Sequence, residues 1–236
     1  KQGISNALPF YVGQVPEVAH KPMKTTKRQV LGKEYLALVK RSAEDAEMII
    51  SVPCTMNGQL AAGEVNRYRF QASQGQRLVI SAKARQLVPY VADGVPGWFQ
   101  AVLRVYDSGG KELAYNDDFR FHPDPVLYFE VPEDGEYSIE IRDSIYRGRE
   151  DFVYRITLGE LPLVTGIFPL GGRSGEPATI ELAGWNLPVG RLAFDAAPKT
   201  PGVHRIPVPE PGQAGSRVPF AVDTLPECLE AEPNNE

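Results

Sequence analysis

A chain of 236 residues can form one large domain or two ordinary ones, each able to bury a core, and two is the reading taken here. Its net charge of −5 offers no basic footprint for nucleic acid, and it has no run of about 18 apolar residues that would span a membrane. The 22 glycines and 21 prolines are spread along the whole chain, which favours many short strands joined by tight turns, an all-β protein.

Near the start, LPFYVGQVPE (8–17) is answered near the end by VPFAVDTLPE (218–227). Pro9, Phe10, Val12, Pro16 and Glu17 match Pro219, Phe220, Val222, Pro226 and Glu227 at one constant spacing. Such a distant repeat points to a modular array of which the chain holds about one period, so residues 1–18 read as the tail of a preceding module. Residues 19–48 then carry Lys21, Lys24, Lys27, Arg28, Lys33, Lys40 and Arg41 against Glu34 alone, until SAEDAE reverses the sign. This is expected to be a basic, largely irregular linker, the alternative being a surface for an acidic partner. Ser42 followed by Asp45 has the spacing of a helix cap and predicts a short helical turn over 42–48.

Strand periodicity governs residues 49–160. Tyr68, Phe70 and Ala72 alternate with Arg67, Arg69 and Gln71; Tyr137, Ile139 and Ile141 with Ser138, Glu140 and Arg142; Phe152, Tyr154, Ile156 and Leu158 with Val153, Arg155 and Thr157. RLVISAKA, AVLRVYD and PVLYFEV add three more strands, and DSGG and PEDG have turn composition, so a β-sandwich is predicted. A second, smaller immunoglobulin-type sandwich is predicted over 161–225, with Ile180 and Leu182 facing inward, Trp185 in its core and a proline-rich connection, PGVHRIPVPEPG, between its later strands. Residues 226–236 read as a linker to a following module. Cys54 and Cys228 form no paired motif and are expected to stay unpaired.

The first block resembles the bacterial pre-peptidase C-terminal (PPC) domain, a secreted jelly-roll-like sandwich related to collagen-binding domains of collagenases. The matching pieces are MNGQLAAGEVNRYRFQASQGQRLVISAKA, LRVYDSGGKELAYNDD, and VPEDGEYSIEIRD followed by DFVYRITLGE. The second block, through TGIFPLGGRSGEPATIELAGWNL, resembles an IPT/TIG-type immunoglobulin-like domain, and the alternation resembles large secreted proteins of planctomycete-type bacteria. The resemblance implies a secreted, cell-surface or periplasmic module and, in the related collagen-binding domains, calcium held by an acidic linker and by acids before the Y-x-F strand.

That linker form survives at the C-terminus as Glu230, Glu232, Asn234 and Asn235, whereas before the first sandwich His20 and Pro22 stand at the matching places and the turn keeps Glu64 and Asn66. Asn116, Asp117, Asp118 and Asp124 form a second oxygen-rich candidate, which an Asx-rich turn explains as well. Trp98 and Phe99 lie in an apolar loop and are candidates for stacking on a sugar or a partner, or else for packing over one end of the sandwich. Arg147, Arg149, Glu150 and Asp151 read as surface charge pairs of small effect. His20, His122 and His204 fall in separate segments, and no hydrolase or phosphate-binding motif is present, so a catalytic site is not expected. The expected function is a non-catalytic structural or binding module pair, touching neighbouring modules and extracellular protein or polysaccharide; it requires no cofactor, and calcium-dependent adhesion, or an accessory segment of a secreted peptidase or hydrolase, is the alternative.

Overall fold

The computed structural model describes residues 10–13, 15–88, 97–196, 200–208, 217–226 and 228, in two units divided between Glu160 and Leu161. Unit 1 runs β1 (Glu17–Ala19), β2 (Thr25–Val30), β3 (Lys33–Leu38), β4 (Glu47–Ile49), β5 (Cys54–Gln59), β6 (Asn66–Ala72), β7 (Arg77–Lys83), β8 (Ala101–Asp107), β9 (Glu112–Asn116), β10 (Val126–Glu130), β11 (Gly135–Asp143) and β12 (Val153–Gly159). Two five-stranded sheets, ordered β1-β5-β12-β7-β10 and β4-β6-β11-β8-β9, form the sandwich. The alternation read in the sequence is the reason. Tyr68, Phe70, Ile139 and Ile141 of one sheet and Met56, Ile80, Tyr154 and Ile156 of the other are almost wholly excluded from water in one shared core. Each such side chain contributes about 1.5–3 kcal/mol of burial, which fixes register, because a one-residue slip would expose a whole face.

The first and last strands of this sheet flank the same neighbour. Glu17 of β1 and Thr157 of β12 both lie opposite Thr55 of β5, one in parallel and one in antiparallel pairing.

Residues 19–48 depart from the expected linker. Strands β2 and β3 form a hairpin in which Thr25 faces Leu38 and Val30 faces Lys33, and β4 pairs in parallel with β6. The two-residue turn is Leu31-Gly32, with φ of 50° and 75°, the left-handed pair that matches strand twist. Charged residues occupy both faces of this hairpin, so no alternation marks it in the sequence. The predicted helical turn is present but short: the Asp45 N–H donates to Ser42 Oγ at 3.1 Å and the Ala46 N–H to the Ser42 carbonyl at 3.0 Å, after which the chain becomes β4.

Unit 2 consists of β13 (Leu163–Phe168), β14 (Gly171–Arg173), β15 (Pro177–Trp185), β16 (Arg191–Asp195), β17 (Gly202–Pro207) and β18 (Arg217–Asp223). Its sheets, β13-β15-β16 and β14-β18-β17, enclose Ile180, Leu192, Ile206, Val218, Phe220 and Val222. Two expectations change here. The proline-rich connection contains β17, whose prolines stand at or beyond its ends, and Trp185 is only half-buried, at the end of β15 opposite Leu163. Cys54, buried in unit 1, and exposed Cys228 are both free thiols.

Candidate functional site

The basic segment ends on a side chain that anchors it. Arg41 follows β3, and its Nη1 donates to Glu64 Oε1 at 2.6 Å and to the Gln59 carbonyl at 3.0 Å, while Nη2 donates to the Lys21 carbonyl at 2.9 Å. Glu64 is completely buried, and its other oxygen accepts the Ala61 N–H at 3.3 Å. A carboxylate so placed needs a charge partner, because an unpaired buried charge costs several kcal/mol. The turn that carries Glu64 is shaped by Gly63, at φ 74°, and is backed by Gly148, where any Cβ would run into the Ala61 carbonyl group.

Behind Glu64 runs a buried chain of polar groups. Asn66 Nδ2 donates to the Tyr154 hydroxyl at 2.6 Å, which lies 2.7 Å from the Tyr68 hydroxyl across the two sheets. Burial pushes both phenols up, so neither ionises in ordinary conditions. The His20 ring rests 5.5 Å from that of Tyr68, and burial, followed by the charge of Arg41, lowers its pKa to about 4. A cleft of about 650 Å³ opens beside this group, lined by His20, Lys21, Met23, Lys40, Arg41 and Met48. The folded state therefore holds His20 neutral while the unfolded chain protonates near 6.5. Stability of unit 1 should fall as pH is lowered from about 6.5 to about 4, and His20→Gln should flatten that slope in denaturant titrations; a slope unchanged by the substitution would refute the assignment. Loss of the Glu17 contribution comes lower still, because its pKa is depressed below the usual 4.5, chiefly by its hydrogen bond to Arg155.

Glu17 is the second anchor. It takes both arms of Arg155, at 2.6 and 2.7 Å, and Asn57 Nδ2 donates to it at 3.0 Å, which fixes β1 against β5. A third anchor is Asp143, fully buried, which accepts the Arg147 side chain at 3.1 and 3.0 Å and the backbone N–H groups of Arg147, Ile145 and Gln100. Arg147 Nη2 also donates to the Trp98 carbonyl, and Arg149 to that of Gly97. YRGRED is thus more than a run of surface pairs: it holds the strap that carries Trp98 and Phe99. Phe99 is 4% exposed and stacks on Phe152 at 5.2 Å, so it is core and offers no contact surface. Trp98 is half-buried, with the Arg85 guanidinium over its ring at 5.2 Å.

Calcium takes six to eight oxygen ligands, and the Glu64 turn does not fit it. Glu64 is its one carboxylate, a guanidinium already occupies that group, and a dication beside Arg41 would be repelled; Asn66 Oδ1 is the oxygen left without a partner. The second oxygen-rich candidate is also tied down. Asn116 Oδ1 accepts the Val126 N–H, Asp117 the Tyr115 hydroxyl, and Asp124 the N–H groups of Arg85 and Gln86 at 2.6 and 3.0 Å, while Asp118 is exposed. Among the described residues, no three His, Cys, Asp or Glu side chains group closely enough to hold a metal ion. Glu230, Glu232, Asn234 and Asn235 lie outside the described residues.

Sequence reasoning passed over Arg41, Glu17, Arg155 and Asp143. One of them left a signal: Asp143 continues the inward parity of Tyr137, Ile139 and Ile141, and an acid on a dry face implies a buried partner.

No protein-family model matches the chain, and no curated protein matches it. Among solved structures it is similar to the pre-peptidase C-terminal domain of a collagenase from Bacillus anthracis, at 14% identity and a TM-score of 0.36, over 48% of this chain and 93% of that one. It is also similar to PliG, a periplasmic inhibitor of g-type lysozyme, from Aeromonas hydrophila (16% identity, TM-score 0.31, 48% of this chain and 97% of that one) and from Salmonella Typhimurium (14%, 0.33, 48% and 96%). These are distant likenesses over about half of the chain. Among the described residues, no helix is long and apolar enough to cross a membrane.

Proposed function

We propose that the chain is a non-catalytic pair of β-sandwich modules, PPC-like and then IPT/TIG-like, that spaces or binds as part of a longer protein acting outside the cytoplasm. The location, and the neighbouring modules, extracellular protein or polysaccharide as partners, are what the motif-level resemblance implies. The observation that carries the reading is how the acid–base groups are used. Glu64, Glu140 and Asp143 face guanidinium groups, and Asp124 accepts two backbone N–H groups. The histidines are engaged separately: His20 against Tyr68, His122 with Gln86 and the Asp124 N–H, and His204 with the Thr200 carbonyl. Groups already paired in the ground state are poor general bases.

The Arg41 guanidinium gives unit 1 a built-in cation where the related modules would use a metal. Thermal unfolding should therefore be the same in calcium and in chelator. A rise of several degrees with calcium would support the calcium-dependent alternative, since a ligand that binds the native state must stabilise it.

A further inference from the structure

The repeated decapeptide has two very different environments. In its second copy it forms β18, the middle strand between β14 and β17, where Val218, Phe220 and Val222 point into the core at 7%, 0% and 2% exposure. In its first copy, Phe10 and Val12 stand at the places of Phe220 and Val222, yet they are 90% and 84% exposed, and residues 10–13 form no strand. The differences between the copies follow the faces of β18. Inward places keep an apolar residue, with Leu8 for Val218, Phe for Phe and Val for Val, whereas Tyr11 and Gly13 replace Ala221 and Asp223, which are exposed. A period-two apolar pattern kept on one face fits a strand whose other face is wet, and two large apolar side chains left in water have no use for that pattern. Downstream the copies run on alike: Pro16-Glu17 leads into β1, where Arg155 holds Glu17, and Pro226-Glu227 follows β18.

We infer that the segment around Phe10 and Val12 is a closing strand, and that the partner it fits is a second immunoglobulin-like unit of the kind formed by residues 161–236, with the place between its β14-like and β17-like strands empty. Phe10 then fills the pocket that Phe220 fills here against Phe194 and above Gly172, and Tyr11 lies over the glycine equivalent to Gly171, which faces Ala221 in β14. A tyrosine over a cross-strand glycine is a favourable pair. The inference deepens the modular reading above and rests on it only in treating the chain as a pair of modules.

The test is strand interchange within the full chain, which reads no ligand or metal. Residues 218–227 are replaced by LPFYVGQVPE, and amide exchange is followed in β14 and β17. Protection within roughly tenfold of the parent is the expected result. A control with the same residues shifted by one place, so that Phe and Val face outward, should lose protection by more than about 100-fold. A second graft that retains Ala221 guards against failure caused by the tyrosine alone. If both grafts behave like the shifted control, the segment is not a closing strand. If they fold while calcium proves to stabilise unit 1, this inference stands and the metal-free reading falls.

Discussion

Arg41→Ala is expected to destabilise unit 1 by about 3–5 kcal/mol, because it leaves Glu64 charged, fully buried and without its partner. The loss should appear as a lower denaturant midpoint with an unchanged slope. Two further consequences distinguish an ionic anchor from simple loss of packing. Glu64→Gln in the Arg41→Ala background should recover most of the deficit, since the uncompensated charge is the main cost, and Glu64→Gln alone should cost less than Arg41→Ala. The anchor also joins Lys21, before the hairpin, to Gln59 and Glu64, some forty residues further along the chain, so its removal should release the hairpin of β2 and β3. Exchange protection there should vanish before that of β6 and β11. A loss below about 1 kcal/mol, the range of exposed ion pairs, would mean that water reaches Glu64 once Arg41 is gone.

Phe220→Ala should cost unit 2 a similar amount, about 3–5 kcal/mol, for a different reason. Its ring is wholly buried and meets Phe194 edge-on at 5.0 Å, and it lies at the centre of a cluster of eight buried residues. A unit this small has little stability to lose, since most domains are stable by only about 5–15 kcal/mol and small ones lie near the bottom of that range. Amide protection in β15, β17 and β18 should fall by at least about 100-fold, and Phe220→Leu should retain most of it. An effect limited to β18 would show that the strand frays locally and that the two sheets do not depend on it.

The strands legible in the sequence were those that bury one face. In β6, β11 and β12 the apolar places that the alternation marks as dry are buried, but Glu140, Arg142 and Arg155, on the places it marks as wet, are buried as well. β1 and β4, of three residues each, have no such pattern, because their place is set by pairing with β5 and β6 and not by any stripe of their own. The β2–β3 hairpin was hidden twice: lysines and arginines cover both faces, and Leu31-Gly32 turns the chain where asparagine-glycine would have announced it. The candidate site was legible only in part. Glu64 and Asn66 were found as oxygen ligands, but Glu64 faces Arg41, which arrives from a segment that composition marks as solvated, Asn66 faces the Tyr154 hydroxyl, and no local spacing connects either pair. Phe99 stayed open between display and packing because an aromatic pair in a glycine-rich loop looks the same whether it is displayed or folded inward; it packs inward, with Arg147 and Arg149 gripping the carbonyls beside it.

The flanking of β5 by the first and last strands of unit 1 has a mechanical meaning. Because Glu17 and Thr157 both face Thr55, the polypeptide enters and leaves this sheet at one end, two strand spacings or roughly 10 Å apart. Tension applied through the backbone would act across those strands and open them one hydrogen bond at a time, like a zipper, instead of loading the whole ladder in shear. The bidentate grip of Arg155 on Glu17 sits at the first link of that zipper, where a single strong contact delays opening the most. In a string of such units this one would act as a closed loop of slack, adding about 10 Å of reach while folded and its full contour length once the clasp gives way.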